Sequence, residues 1–175
     1  MSGELDLVYH DGHAQVHVVD TQSKATIYIA DRSSSDFTLT SSPVDHEKYR
    51  GVGRAQFHIT SSKIDLETLT GDVAMSKAGM LTHDFKVTSP NVNWRWERDG
   101  AVGSGIKLTD GGRELASFES KTFSRSTLGT FTIHNWPPPQ DVLDLIVLTG
   151  LAKIEFNKRQ DKKVAAAGII GSNNG

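Results

Sequence analysis

The chain has 175 residues, a length that suits a single domain. Its formal net charge of −2 lacks the basic excess of most nucleic-acid-binding proteins, so we expect no nucleic-acid partner. The absence of cysteine excludes disulfide bonds, thiol nucleophiles and cysteine-based metal sites.

The first residues carry no sign of a secretory signal. Met1 to Asp6 contains no basic stretch followed by an apolar core. We therefore expect a cytoplasmic protein, with peripheral contact to a membrane as one option.

Most of the chain predicts short β-strands separated by turn residues. The first hairpin turns at Asp11-Gly12, between apolar segments that contain Val8 and Val16. Further strands are predicted at 25–30, 37–40, 54–59, 63–69, 73–75, 82–87, 92–98, 104–109, 113–119 and 129–134. Polar loops are predicted at 32–36 and 45–53. About ten to twelve short strands with regularly spaced turns are typical of a barrel or a sandwich.

The segment from Val142 to Phe156, preceded by prolines 137–139, predicts a helix that is apolar on nearly all sides. Such a helix is either buried or inserted in a membrane. It has about 15 residues, fewer than the roughly 20 that cross a bilayer. Charged residues also interrupt it, namely Asp144, Lys153 and Glu155.

The predicted fold is therefore mainly β: a closed antiparallel barrel of about twelve strands around a buried hydrophobic C-terminal helix. We expect one domain over residues 1–163, with the helix near 139–160. Residues 164–175 are predicted to form a flexible tail.

Several short motifs follow one another in the second half of the chain. They are Trp94-Arg95-Trp96, Asp99-Gly100, Leu115-Ala116 and Thr149-Gly150-Leu151. In this order they resemble the tubby C-terminal-like superfamily, above all its small fungal branch of largely uncharacterised proteins. The resemblance runs from about Val92 to Arg159. It implies a twelve-stranded barrel around a hydrophobic helix, and it implies phosphoinositide binding.

Five cations are the candidate lipid- or phosphate-binding residues. Lys48, Arg50 and Arg54 lie in one basic segment, and Arg95 and Arg98 flank a turn. Lysine and arginine side chains bind phosphates through charge-assisted hydrogen bonds. The hypothesis requires that Lys48, Arg50 and Arg54 form one contiguous patch, with Arg95 as an optional further member. The alternative is an ordinary solvated charged surface.

Two further groups of residues each allow two interpretations. Trp94 and Trp96 share one face of a strand, where they form either a ligand platform or part of the core. The basic run of Lys158, Arg159, Lys162 and Lys163 either contacts an anionic membrane or opposes the negative end of the helix dipole.

The sequence contains no recognisable metal-binding, cofactor-binding or catalytic motif. His10, His13 and His17 are close in sequence, but their spacing matches no metal-ligand pattern, so neither metal nor cofactor is expected. We predict a non-enzymatic binding module that contacts phosphoinositides, a membrane surface or an unidentified protein, without a transmembrane segment. The alternatives are a lipocalin-like small-ligand carrier or enzyme with an open lumen, a protein-interaction scaffold, and a scramblase-like protein with an inserted helix.

Overall fold

The computed structural model of the chain describes residues 1–42, 48–69, 71–100 and 105–172, with side chains described as far as residue 168. The strands are β1 Ser2–His10, β2 Gln15–Asp20, β3 Thr26–Arg32, β4 Asp36–Ser41, β5 Arg50–Phe57, β6 Lys63–Thr68, β7 Val73–Lys77, β8 Phe85–Ser89, β9 Val92–Arg98, β10 Ile106–Asp110, β11 Arg113–Ser120 and β12 Thr127–His134. A short 3-10 helix, Asp11–His13, joins β1 to β2, and the chain ends in the helix α1, Gln140–Ser172.

The strands form a closed barrel in which each strand is antiparallel to its neighbours in sequence. β1 pairs with β12, with Leu5 opposite Phe131, and this pairing closes the sheet on itself. Closure leaves no unpaired sheet edge. The predicted closed antiparallel barrel of about twelve strands is confirmed.

Alternation along the strands directs apolar side chains into the barrel. In β9, Trp94 and Trp96 are buried, and Arg95 between them is exposed. The two tryptophans therefore belong to the core, and the interpretation as a ligand platform is wrong. The same alternation buries Leu5 and Leu7 in β1 and Phe85 and Val87 in β8.

The centre of the barrel is filled by α1. From Leu143 to Phe156 nearly every residue of the helix is buried. Trp96 Nε1 donates a hydrogen bond of 3.0 Å to Thr149 Oγ1. On another side, a Cβ built on Gly53 of β5 would lie 2.8 Å from Leu148 Cδ2. The predicted central helix is confirmed, and it occupies the lumen that a lipocalin-like carrier would use.

The predicted loop at 45–53 extends too far, because β5 already begins at Arg50. Gly51 and Gly53 suggested a turn, but Gly53 allows close packing instead: a Cβ there would lie 2.5 Å from the Glu67 carbonyl oxygen. Residues 45–47 of that predicted loop, and Ser104 of the predicted strand 104–109, lie outside the described residues.

The helix end is also corrected, from near residue 160 to Ser172. Ala165, Ala166 and Ala167 favour helix and contain no breaker, so the helix continues beyond the barrel with exposed side chains from residue 161 to 168. The cations from Lys158 to Lys163 are therefore not at the helix end, and the helix-dipole interpretation is wrong. Residues 173–175 of the predicted tail lie outside the described residues.

The two ends of the barrel differ because α1 enters at one and leaves at the other. We call the second end the exit rim. It consists of α1 from residue 157 onward and of the turns 11–14, 33–35, 58–62, 78–84, 99–105 (described at 99–100 and 105) and 121–126. Hydrogen bonds from Arg159 to the Ser33 carbonyl (3.2 Å) and from Lys163 to the Ile59 carbonyl (2.8 Å) tie the emerging helix to it. The opposite end is the entry rim: turns 21–25, 42–49 (described at 42 and 48–49), 69–72 (described at 69 and 71–72), 90–91, 111–112 and 135–139.

Candidate functional site

The candidate cations of β5 are engaged in ion pairs. Arg50 Nη2 lies 2.6 Å from Asp144 Oδ2, at the start of α1. Arg54 pairs with Asp36 of β4, and its Nε lies 3.1 Å from Asp36 Oδ2. Hydrogen bonds from Ser33 and from Arg54 lower the pKa of Asp36, which keeps this carboxylate charged. Lys48 precedes β5 and is exposed.

The other two candidate cations lie elsewhere on the barrel. Arg95 of β9 pairs with Asp84 at 2.8 Å, and Arg98 is exposed at the end of the same strand. Three strands, β6 to β8, separate β5 from β9. The structure therefore does not place Arg95 next to Lys48, Arg50 and Arg54, which lie in β5 or directly before it.

A different concentration of cations lies in a groove of about 830 Å³ at the exit rim. The groove runs beside α1, between the helix and the upper ends of the strands from β7 to β12. Five described cations line it: Lys77, Arg98, Lys153, Lys158 and Lys163. Asp161 is the one carboxylate among the described lining residues. Of the five predicted site residues, Arg98 alone belongs to this group.

Lys153 lies at the base of this groove and is only 2% exposed. Its Nζ donates hydrogen bonds to the His83 carbonyl oxygen (2.6 Å) and to Asn157 Oδ1 (2.8 Å). It also lies 4.6 Å from the centre of the Phe85 ring. Burial lowers the pKa of Lys153 to about 8, because the ammonium has lost most of its water.

Lys158 is a second partly buried ammonium on α1. It donates a hydrogen bond to the Tyr9 hydroxyl, and its Nζ lies 4.7 Å from the centre of the Tyr9 ring. Burial, and then the positive charge of Lys162, lower its pKa to about 8. These lysines remain largely protonated at neutral pH, so the groove is positively charged there.

Large apolar side chains protrude from the same rim. Met80 and Leu81 in the β7–β8 turn, and Phe123 in the β11–β12 turn, are each at least 96% exposed. Ile59 in the β5–β6 turn and Val164 on α1 are also exposed. Three more exposed apolar side chains, Met1, Tyr49 and Leu69, lie at the entry rim, so five of the eight in the described residues are at the exit rim. A concentration of exposed groups of this size is typical of a docking surface.

Sequence reasoning missed Lys77 and the role of Lys153, although one signal was available. Lys153 interrupts a helix that the sequence predicts to be buried on all sides. A lysine at such a position must reach a polar end of the core or bind a partner. Lys158 and Lys163 belong to the predicted basic run, whose membrane-contact interpretation stays a prediction.

The histidines near the first hairpin do not gather around a metal position. The rings of His10 and His17 stack with centroids 3.8 Å apart, and His13 packs edge-on against Tyr9. In the described part of the chain, no three His, Asp or Glu side chains are grouped closely enough to hold a metal ion. Within the same residues, no helix is both long and apolar enough to cross a membrane.

Comparisons with protein-family models, with curated proteins and with solved structures gave no match to this chain. The resemblance to the tubby C-terminal-like superfamily therefore stays a prediction from the sequence motifs.

Proposed function

We propose that this protein is a non-enzymatic binding module that docks on anionic membrane surfaces through its exit rim. The observation that carries the proposal is the position of Met80, Leu81 and Phe123, fully exposed on turns of the rim that also holds the basic groove.

The apolar turn tips supply the first part of the binding energy. Burying an apolar side chain in the boundary between headgroups and acyl chains contributes about 0.8 kcal/mol for each methylene removed from water. Met80-Leu81 and Phe123 belong to separate turns, so they offer two points of insertion. Two points of contact restrict the orientation of the barrel on the surface.

Cations around the tips supply the second part. Lys121 and Arg125 flank Phe123, and Lys162 and Lys163 extend from the emerging helix, all with exposed side chains. Each cation close to an anionic membrane contributes about 1 kcal/mol, an attraction that salt weakens. The rim therefore combines insertion with electrostatic attraction.

The entry rim carries balanced charge. The described residues of its turns and adjacent element ends include four carboxylates and four cations, namely Asp20, Asp72, Asp110, Asp141, Lys24, Lys48, Arg50 and Arg113. The cations of the exit rim stand beside its apolar turn tips, so we expect the exit rim to face the membrane. A cytoplasmic location, expected from the sequence, and phosphoinositide as the preferred lipid, implied by the resemblance to the tubby C-terminal-like superfamily, are part of the proposal.

Co-sedimentation with vesicles tests this function. We expect weak binding to phosphatidylcholine vesicles, stronger binding when phosphatidylserine is added, and weakening at higher salt. A third set of vesicles with added phosphoinositide measures whether that headgroup is preferred. The double variant Leu81→Ser and Phe123→Ser should lose binding, whereas Leu69→Ser, an exposed leucine of the entry rim, should retain it.

Absence of binding to every vesicle would overturn the proposal. So would binding that the double variant leaves intact. A protein captured by the exit rim in place of vesicles would favour the interaction-scaffold alternative.

A further inference from the structure

The Lys153 ammonium is a buried cation whose charge the described residues do not neutralise directly. Both of its hydrogen-bond partners are neutral oxygens, those of His83 and Asn157. Among the described residues it forms no ion pair, and Asp84, the carboxylate whose charge acts on it, is paired with Arg95. A buried charge of this kind is costly, and an anion bound beside it would offset the cost.

The neighbours of Lys153 in the groove increase the positive potential. Lys77 is close enough to disfavour the charged form of Lys153, and Arg98, Lys158 and Lys163 line the same space. Five cations against one carboxylate among the described lining residues contrast with a chain whose net charge is −2. Charges of one sign in a concave site with low-dielectric walls attract the opposite charge strongly.

The wall of the groove is apolar next to this charge. The Lys153 Nζ lies 4.6 Å from the centre of the Phe85 ring, and the Phe156 ring lies 4.9 Å from that of Phe85. Beyond them the wall continues with Ile106, Phe118, Leu128 and Ile154. The volume of about 830 Å³ lies within the range of sites that hold one small organic ligand.

We propose that this groove binds one anionic amphiphile: a phosphate or carboxylate headgroup near Lys153, with an aliphatic chain along Phe118, Phe156 and Leu128, which keep between 4% and 8% of their surface exposed. This inference goes beyond docking on a membrane, because it concerns a single molecule that the protein binds free in solution or extracts from the surface. The cations recognise the anion, and the aromatic wall excludes water from the chain.

Calorimetric titration with decyl phosphate below its micelle concentration tests this site. We expect one molecule bound per chain and much weaker binding of inorganic phosphate, which lacks the chain, and of decyl maltoside, which lacks the charge. Lys153→Met should weaken decyl phosphate binding by about tenfold or more, since a buried charge pair is lost. The matched control is Lys86→Met, an exposed lysine next to Phe85 on the outer face of β8.

A second variant keeps the test informative if Lys153→Met fails to fold. Arg98→Gln combined with Lys163→Gln changes two exposed groove cations and should also weaken binding. If inorganic phosphate binds as tightly as decyl phosphate, the aliphatic chain contributes nothing. The proposal of an amphiphile is then wrong, and the groove is a site for a free anion. If decyl maltoside binds as tightly as decyl phosphate, the cations do not recognise the headgroup. If decyl phosphate does not bind at all, the groove is not a binding site for this class of ligand.

The result of the titration can be interpreted independently of the result of the vesicle experiment. The variant Leu81→Ser and Phe123→Ser should bind decyl phosphate like the unaltered protein, because neither residue lines the groove. Failure of vesicle binding alone therefore leaves the groove proposal standing, and failure of the titration alone leaves the docking proposal standing.

Discussion

Asp144 shows how one charged residue is accommodated inside an apolar helix. It is 8% exposed and accepts hydrogen bonds from Tyr28 Oη (2.8 Å), Gln140 Nε2 (2.8 Å) and Arg50 Nη2 (2.6 Å). Burial, and next the negative charge of Asp144, raise the pKa of the Tyr28 hydroxyl far above its usual value. The network joins β3 and β5 to the first turns of α1, so Arg50 positions the helix.

We expect Asp144→Asn to lower the free energy of unfolding by about 1–3 kcal/mol, because the Arg50 guanidinium loses its carboxylate partner. Urea unfolding followed by circular dichroism measures the loss. Asp141→Asn, an exposed carboxylate one turn earlier, is the control and should change stability by less than about 0.5 kcal/mol. Equal effects of the two substitutions would mean that the network contributes nothing specific.

Individual ion pairs also explain why the predicted site residues do not act as one group of phosphate-binding cations. Arg50, Arg54 and Arg95 look alike in sequence, but each is paired with a different carboxylate: Asp144, Asp36 and Asp84. Those carboxylates lie between 11 and 94 positions away along the chain. Local pattern carries no information about such pairings, which depend on strand order around the barrel.

At the scale of elements, α1 functions as the core of the barrel. Gly150 lies directly against rings of β12 and β9: a Cβ built there would be 2.6 Å from Phe131 Cζ and 3.1 Å from Trp96 Cζ2. The absence of a side chain at this position lets large rings from two strands pack against the helix backbone. Above and below it, Ile146, Val147 and Ile154 are buried.

We expect Ile146→Ala to lower the free energy of unfolding by about 2–5 kcal/mol, since it leaves a cavity in a closed core. Leu145→Ala should cost less than Ile146→Ala, because the Leu145 side chain is only partly buried. Lys162→Ala, in the exposed part of the same helix, is the control. A loss below about 1 kcal/mol for Ile146→Ala would contradict a central helix.

The elements also show how much of the fold can be predicted from a single sequence. Period-two alternation predicts strands such as Val92–Arg98 at the bounds observed, and a helix apolar on all sides leaves few places for it except the middle of the barrel. The start of β5 was missed because Gly51 and Gly53 have the composition of a turn, whereas Gly53 serves close packing. The groove was missed because it combines β7, β9 and α1, which meet only in the folded barrel.

At the scale of the whole molecule, barrel and helix depend on each other. The inward side chains of the strands cover α1, and the helix in turn fills a lumen lined by Trp96, Phe131 and Leu108. A barrel of this size without the helix would expose its apolar interior to water, and the helix without the barrel would expose an apolar surface on every side. The chain should therefore fold in one cooperative transition.

Truncation tests this dependence. Removal of residues 140–175, the helix and the residues after it, should abolish cooperative thermal unfolding followed by circular dichroism, because the interior of the barrel loses its packing partner. Removal of residues 165–175 is the matched control: the described side chains there are exposed, so this shorter chain should unfold at nearly the same temperature as the full one. A sharp transition in the chain that ends at residue 139 would show that the strands form a stable barrel by themselves. The helix would then be an added element whose burial the barrel does not require.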